Sequence, residues 1–399
     1  MTAANLAAEL CTPESTQLVP PKALHARASA AVAQMQADTG PGGQVPVSHY
    51  LDAERFAQEL QLFRQHPQAV AAASDLPALG SWLSLTYMGT PLLLVRQANG
   101  AVQAFLNVCR HRGVRVVAEG AGREARAFTC PYHGWTYQPD GALRGMPQAE
   151  GFANLDKAAS GLRALAVAEK AGLIWVIPNP DLAAQDAAAS LTPMIDDLAA
   201  LAGMQQPVAF APRSYDVAAN WKLLMDGAFE AYHFKVAHRQ TIAAMFAGNV
   251  QLVDEAGLNR RLYLLKNSFA EQQPDAASFE PRQHGNLTYY FFPFNTVLVQ
   301  PDHAQFSCIE PISPSLSRIH EITLIPQAPA TEKAQKYWQA NVDLYRRTLA
   351  EDYVLAESIQ QGLASRANDS FTFGSFEFAI PRFHAQLDQL LKNQSQNSR

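Results

Sequence analysis

A chain of 399 residues that is 48% hydrophobic and 17% charged has an ordinary globular composition, and its length suits about two domains. A formal net charge of −5 leaves no basic excess to track phosphates, which argues against a nucleic-acid partner. There is no apolar run of about 18 residues to cross a membrane, and the start, MTAANLAAELCTPES, lacks the basic and apolar regions of a secretory signal, so the expectation is a cytoplasmic protein with no membrane partner.

Residues 1–50 are Ala-rich and break at GPGG, Gly40 to Gly43. From Asp52, DAERFAQELQLFR has helical periodicity with Phe56, Leu60 and Phe63 on one side, a helix feeding a new domain. Between Pro77 and Pro178 the texture changes to short β-rich runs (WLSLTYM, PLLLVRQ, VQAFLNV, ARAFTCP, GLIWVIP) separated by turns such as Asn99-Gly100 and Asp140-Gly141. This spacing predicts a compact antiparallel β domain.

Four cysteines, at 11, 109, 130 and 308, are too few and too scattered for a disulfide framework. Cys11 and Cys308 have no partner pattern. Cys109 and Cys130 each precede a histidine, as Cys109-x-His111 and Cys130-x2-His133, with 18 residues between the pairs. Two thiolates and two imidazoles suit a tetrahedral zinc or a [2Fe–2S] centre with cysteines on one iron and histidines on the other. A Cys2His2 zinc finger carries its histidines on one helix, whereas here each half holds one Cys and one His at a turn followed by Gly113 or Gly134.

PNPDLAAQDAAASLTP then reads as a connector. In NWKLLMDGAFEAYHFKVAH, Asn220 to His238, the residues Glu230, His233 and His238 fall at spacings of three and five. On a straight helix positions i and i+5 diverge by about 140°, so two histidines sharing a metal at this spacing need the helix to end or widen between them. Two histidines and a carboxylate with other positions free form the facial triad of non-haem Fe(II) oxygenases; the carboxylate has to come from elsewhere in the fold. Strand-like runs follow (RRLYLLK, LTYYFFPFNTVLVQ, IHEITLIP), and then a long helix from Tyr337 to Ala364, with Trp338, Tyr345, Leu349, Leu355, Ile359 and Leu363 as core positions. Strands grouped before a helix make this half α+β.

NVCRHRG and CPYHGW resemble the Rieske motifs of aromatic-ring-hydroxylating oxygenases, with a slightly longer spacer in AEGAGREA. With both constellations in order, the chain resembles the α-subunit of a Rieske non-haem iron oxygenase over nearly its full length. The resemblance implies an α+β chain: an N-terminal segment (1–64) packing with the catalytic domain, an antiparallel β Rieske [2Fe–2S] domain (65–175), and a mononuclear iron domain (176–399) with an antiparallel sheet flanked by helices.

It further implies a [2Fe–2S] cluster on Cys109, His111, Cys130 and His133, and Fe(II) on His233, His238 and a carboxylate. Asp352 is that carboxylate, because Asp352, Glu357, Gln360 and Gly362 in AEDYVLAESIQQGL are similar to the family segment Asp-x4-Glu-x2-Gln-x-Gly; Glu351 is the competitor. In the family, the acid at the position of Glu230 links the first iron histidine to a cluster histidine of a neighbouring subunit, here His133, which implies a homotrimer. Electrons would come from NAD(P)H through a reductase or ferredoxin.

Many ring-hydroxylating members carry Asp at the position of Glu230, and Glu230 with FGSFEFAIPRFH is similar to the carnitine and betaine branch. Where many relatives have Glu-Asn, this chain has Asp226-Gly227. The expected activity is therefore O2-dependent hydroxylation, leaning to monooxygenation and dealkylation of a quaternary amine. The alternatives are cis-dihydroxylation or hydroxylation of an aromatic acid and, from another class, an electron carrier without oxygenase chemistry. Arg110, Arg112, Arg115, Arg123 and Arg126 outnumber Glu119 and Glu124 and suit either reductase docking or salt links. YYFFPF is a core run that could also wall a pocket, and His25, His49, His66, His284, His303, His320 and His384 lack ligand spacing and read as structural.

Overall fold

The computed structural model describes Leu18 and residues 21–397; Cys11 lies outside the described residues. The chain divides into two compact units, one formed by residues 64–190 with 205–208, the other by the segments up to Phe63, 191–204 and 209–399.

The larger unit begins with α1 (Pro21–Gln34), β1 (Gly43–Pro46), α2 (Ser48–Leu51) and α3 (Ala53–Phe63). In α3, Phe56 and Phe63 are buried and Leu60 is half-buried, and Glu59 is buried beside them. The smaller unit contains β2 (Gln68–Ala72), β3 (Trp82–Tyr87), β4 (Thr90–Arg96), β5 (Val102–Leu106), β6 (Gly120–Gly122), β7 (Phe128–Thr129), β8 (Thr136–Tyr137), β9 (Leu143–Gly145), β10 (Ala164–Lys170) and β11 (Leu173–Ile177). They form a sheet of order β2-β11-β10-β5-β4-β3-β6 and a smaller one of order β7-β8-β9. Neighbours pair antiparallel, as the short alternating runs predict. Leu93, Val95, Phe105, Trp135, Tyr137 and Leu143 form one apolar cluster, and Cys109 and Cys130 are buried within it.

The chain then returns to the larger unit through α4 (Met194–Ala202), β12 (Val208–Val217), α5 (Trp221–Ala228), α6 (Phe234–Ala237), β13 (Phe246–Ala256), β14 (Asn259–Lys266), β15 (Gly285–Phe291), β16 (Asn295–Val299), β17 (Ala304–Ser313), β18 (Leu316–Ile325), α7 (Glu332–Leu363), β19 (Ser370–Phe373) and α8 (Ala379–Asn397). The sheet order β12-β18-β17-β16-β15-β14-β13 is a meander from β13 to β18, antiparallel throughout that run. Phe63, Trp221, Phe294 and Phe383 meet edge-on with centroids 5.1 to 6.0 Å apart and join α3, α5, the β15–β16 connection and α8. Long α7 is amphipathic, but of its expected core positions only Leu363 is buried; Leu355 and Ile359 are 46% and 43% exposed. No helix among the described residues is long and apolar enough to cross a membrane.

Candidate metal centres

In the smaller unit the two Cys/His segments fold into matching loops. The Cys109 N–H donates to Val114 O at 2.8 Å and Gly113 N–H returns to Cys109 O at 3.0 Å; the Cys130 N–H donates to Trp135 O at 2.8 Å and Gly134 N–H returns to Cys130 O at 3.1 Å. Each loop needs a left-handed residue four positions after its cysteine, supplied by Gly113 (φ +76°) and Gly134 (φ +71°). The cysteines are buried and free, while His133 is exposed and His111 half-buried. The two imidazoles lie edge to face with centroids 4.6 Å apart, and His111 stacks on Trp135 at 5.0 Å.

The Arg110 N–H donates to the Tyr137 hydroxyl oxygen at 2.9 Å, and that oxygen lies 3.3 Å from Cys109 Sγ, so its own hydrogen is available to a thiolate. Burial, then the bond with Cys109, pushes the Tyr137 pKa up, which keeps it a donor. The four metal donors do not gather on one point: among the described residues, the set that brings three such atoms within 4.8 Å of one another is His233, His238 and Asp352. A single tetrahedral zinc needs its donors within about 4 Å of each other. The wider spread fits a two-iron cluster with thiolates on one iron and imidazoles on the other.

In the larger unit α5 stops at Ala228, and a separate single turn, α6, carries His233 at its N-cap and His238 at its C-cap. The helix thus ends before both histidines, which bracket a separate short turn, and no widened turn is used. His233 Nε2 and His238 Nε2 are 3.1 Å apart, and Asp352 Oδ1 on α7 lies 3.4 Å and 3.1 Å from them. Three donors at mutual right angles around one ion sit about 3 Å apart, so this is the spacing of a facial triad.

The outward nitrogens are also engaged. Glu230 accepts from His233 Nδ1 and from the His233 backbone N–H at 3.1 Å; Glu351 Oε2 lies 2.8 Å from His238 Nδ1 and accepts from Thr241 at 2.7 Å. Adjacent residues on a helix diverge by about 100°, which lets Asp352 face the donor point while Glu351 holds the back of the same ring. Burial alone would lower the His233 pKa, but Asp352 and Glu230 outweigh it and raise it to about 9. Three carboxylates around two imidazoles leave excess negative charge, which a divalent cation balances.

A cavity of about 360 Å³ opens beside this triad. Its wall contains the carboxylates Asp226, Glu230 and Glu377 and the rings of Phe234, Tyr290, Tyr345, Tyr353, Phe371 and Phe373, with no Lys or Arg among the lining residues. Leu349, Leu355 and Ile359 of α7 line it as well, which accounts for an apolar helix face that is not core. Of the YYFFPF run, Tyr290 reaches the cavity while Tyr289, Phe291, Phe292 and Phe294 are buried. Asn286 Oδ1, also on the wall, is buried without a hydrogen-bond partner among the described residues.

Nothing in local spacing marks Thr241, which donates to Glu351, or the contacts of His49, Tyr50 and His384 with the neighbourhood of Asp226; of these residues only His384 lies in a segment with a family resemblance, FGSFEFAIPRFH.

Residues 66–159 match the family model of the Rieske [2Fe-2S] domain, and residues 204–393 that of the ring hydroxylating alpha subunit catalytic domain. The carnitine monooxygenase oxygenase subunit of Escherichia coli (strain K12) is 26% identical over 366 residues, 88% of this chain and 94% of that protein. The chlorobenzene dioxygenase subunit alpha of Cupriavidus sp. (strain PS12) is 38% identical over 221 residues, 52% of this chain and 47% of that protein. Among solved structures, a quaternary ammonium Rieske monooxygenase, described for carnitine oxidation by gut microbiota and inter-subunit electron transfer, has the same fold with a TM-score of 0.75 at 22% identity, covering 94% of this chain and 100% of that one.

Proposed function

Because the chain belongs to the Rieske non-haem iron oxygenases, we propose that it is a terminal oxygenase that takes electrons from an NAD(P)H-dependent reductase and monooxygenates a quaternary amine, with dealkylation as the outcome. The cavity carries this reading. Its wall of carboxylates and aromatic rings, without Lys or Arg, suits a cation that has no N–H to donate and relies on ring faces and nearby negative charge. An aromatic acid would bring its carboxylate in without a counter-charge, at a large desolvation cost. Asn286 offers the uncharged remainder of the substrate an acceptor for a hydroxyl or amide donor.

Cys109, His111, Cys130 and His133 would hold the cluster, and His233, His238 and Asp352 the iron. When bound, these groups supply single-electron transfer at the raised potential that histidine ligation gives and activation of O2. Tyr137 donates towards the Cys109 sulfur. Glu230 and Glu351 orient the two histidines through Nδ1, and the rings around the cavity position the substrate and exclude water.

By resemblance, and in keeping with the inter-subunit transfer described for the solved relative, Glu230 reaches His133 of a neighbouring copy in a homotrimer. The exposed arginines around the cluster loops suit an acidic reductase face.

Quaternary amines and aromatic acids are to be compared for substrate-stimulated O2 uptake with a surrogate reductase. Uptake with amines and release of formaldehyde are expected; a stable cis-dihydrodiol, or stimulation confined to aromatic acids, overturns the proposal. Iron analysis separates the electron carrier, with two irons per chain, from the oxygenase with three.

A further inference from the structure

A line of hydrogen-bonding side chains leads from the cavity wall to the outside of the same unit. Asp226, at the end of α5, faces the cavity and accepts from the Tyr50 hydroxyl at 2.6 Å and from His384 Nε2 at 3.1 Å; that nitrogen also lies 3.3 Å from the Tyr50 hydroxyl. On the far side of its ring, His384 Nδ1 is 3.3 Å from His49 Nδ1, and the two imidazoles stack with centroids 5.5 Å apart. His384 and Tyr50 are almost wholly buried. His49 lines a second cleft, of about 620 Å³, together with Asp388 and Arg55, and Asp52, Glu54 and Lys392 on its wall are exposed.

We propose that His49 and His384 form a proton relay that carries protons from this surface cleft to Asp226 at the wall of the catalytic cavity. The purpose rests on the oxygenase reading but not on its monooxygenase form. Whether one oxygen atom leaves as water or both enter the substrate, each O2 consumes two electrons and two protons; the reductase supplies the electrons and water the protons.

The polarity of the line is consistent from end to end. A carboxylate only accepts, so His384 carries its hydrogen on Nε2 and accepts at Nδ1, and His49 donates from Nδ1 and accepts at Nε2. A proton taken by His49 at Nε2 releases the Nδ1 proton to His384, which passes its Nε2 proton to Asp226; only N–H and O–H bonds form and break. Each transfer leaves the hydrogen of both rings on the opposite nitrogen, so the rings must turn before a second proton follows.

The groups facing His49 keep its ring neutral. Its burial, Arg55, His384 and Lys222 outweigh the opposing Asp388 carboxylate and push its pKa down to about 4, so near neutral pH the ring is uncharged, with its acceptor Nε2 3.8 Å from Asp388 Oδ1, too far for a direct hydrogen bond. Tyr50 stays a donor, because burial and then Asp226 raise its pKa.

The test has a readout that needs no iron. In full-length protein labelled with 15N-histidine, exchange of the His384 ring N–H with water is followed by NMR and assigned by its loss in His384→Gln. His49→Phe, which keeps the stack but not the relay, is expected to slow this exchange by about tenfold or more; an unchanged rate overturns the proposal. In the iron-loaded oxygenase, His49→Ala is expected to lower kcat by about a hundredfold with KM held and an enlarged solvent isotope effect, and added imidazole restores the rate. A His49→Ala enzyme that imidazole does not rescue overturns the relay, whereas a wild-type enzyme that consumes no O2 with any substrate counts against the oxygenase reading.

Discussion

His238 meets a different carboxylate at each ring nitrogen: Asp352 lies 3.1 Å from Nε2 and Glu351 2.8 Å from Nδ1. Glu351 is therefore a positioning residue. It fixes the tautomer that leaves Nε2 free to bind metal, and it raises the basicity of the ring. Glu351→Ala is expected to weaken Fe(II) binding by about 10- to 100-fold, a typical cost of removing such a partner, while the cluster absorbance and far-UV circular dichroism stay as in wild type. Glu351→Gln, which can still accept from Nδ1–H, should recover part of the loss. Iron titration of the three proteins measures this, and equal affinities would show that Glu351 does not act through His238.

The elements that carry the triad are held by polar contacts at their ends. Glu357 and Gln360 of α7 accept from the Ala218 and Asn220 backbone N–H groups at 3.0 Å and 2.8 Å, so the helix that supplies Asp352 also holds the start of α5. Asn220 caps α5 by accepting from the Lys222 N–H at 3.0 Å, and the Lys222 ammonium pairs at 2.6 Å with Glu59 of α3. Both partners are fully buried, and Glu59 also accepts from Trp221 Nε1 at 3.0 Å. Glu59 also pairs with Arg55 Nε at 2.9 Å, so losing Lys222 leaves it a partner, whereas losing Glu59 strands the Lys222 ammonium; Glu59→Gln is therefore expected to cost about 3–5 kcal/mol, and combining it with Lys222→Met should cost less than Glu59→Gln alone. Urea midpoints of the single and double variants check the order. At this scale the sequence was legible wherever the burial pattern is simple. The helix from Ala53, strands β3, β4, β5, β7 and β11 of the smaller unit and the long α7 follow from periodicity. β12, β13 and β17 do not: β17 is buried along most of both faces, so no alternation marks it. Leu355 and Ile359 misled in the opposite way, because an apolar helix face that lines a cavity has the same periodicity as one that fills a core. Local spacing marks the candidate metal ligands but not the histidines of the proposed relay, because His49 and His384 are 335 positions apart.

At the scale of the whole molecule, the two centres have a common surface feature. Exposed His133 follows Tyr132, which is 52% exposed; beside His233 lie Tyr232 and Val236, at 60% and 76%. Large apolar side chains left open beside His133 and His233 suit surfaces that meet another copy, in keeping with the proposed ring in which the cluster of one subunit serves the iron of the next. This predicts complementation between two inactive proteins. Cys109→Ser removes the cluster and leaves the iron site; Asp352→Asn removes the iron and leaves the cluster. In a mixed trimer of either composition, one of the three sites pairs the iron of a cluster-deficient copy with an intact cluster on its neighbour, so about a third of wild-type activity returns. If electrons pass within one chain, no mixed oligomer has a complete path and activity stays at zero. Differently tagged copies, purified in sequence through both tags, ensure that the oligomers assayed are mixed. Inactivity in that material would place cluster and iron partners in the same chain and count against the proposed contact of Glu230 with a neighbouring copy.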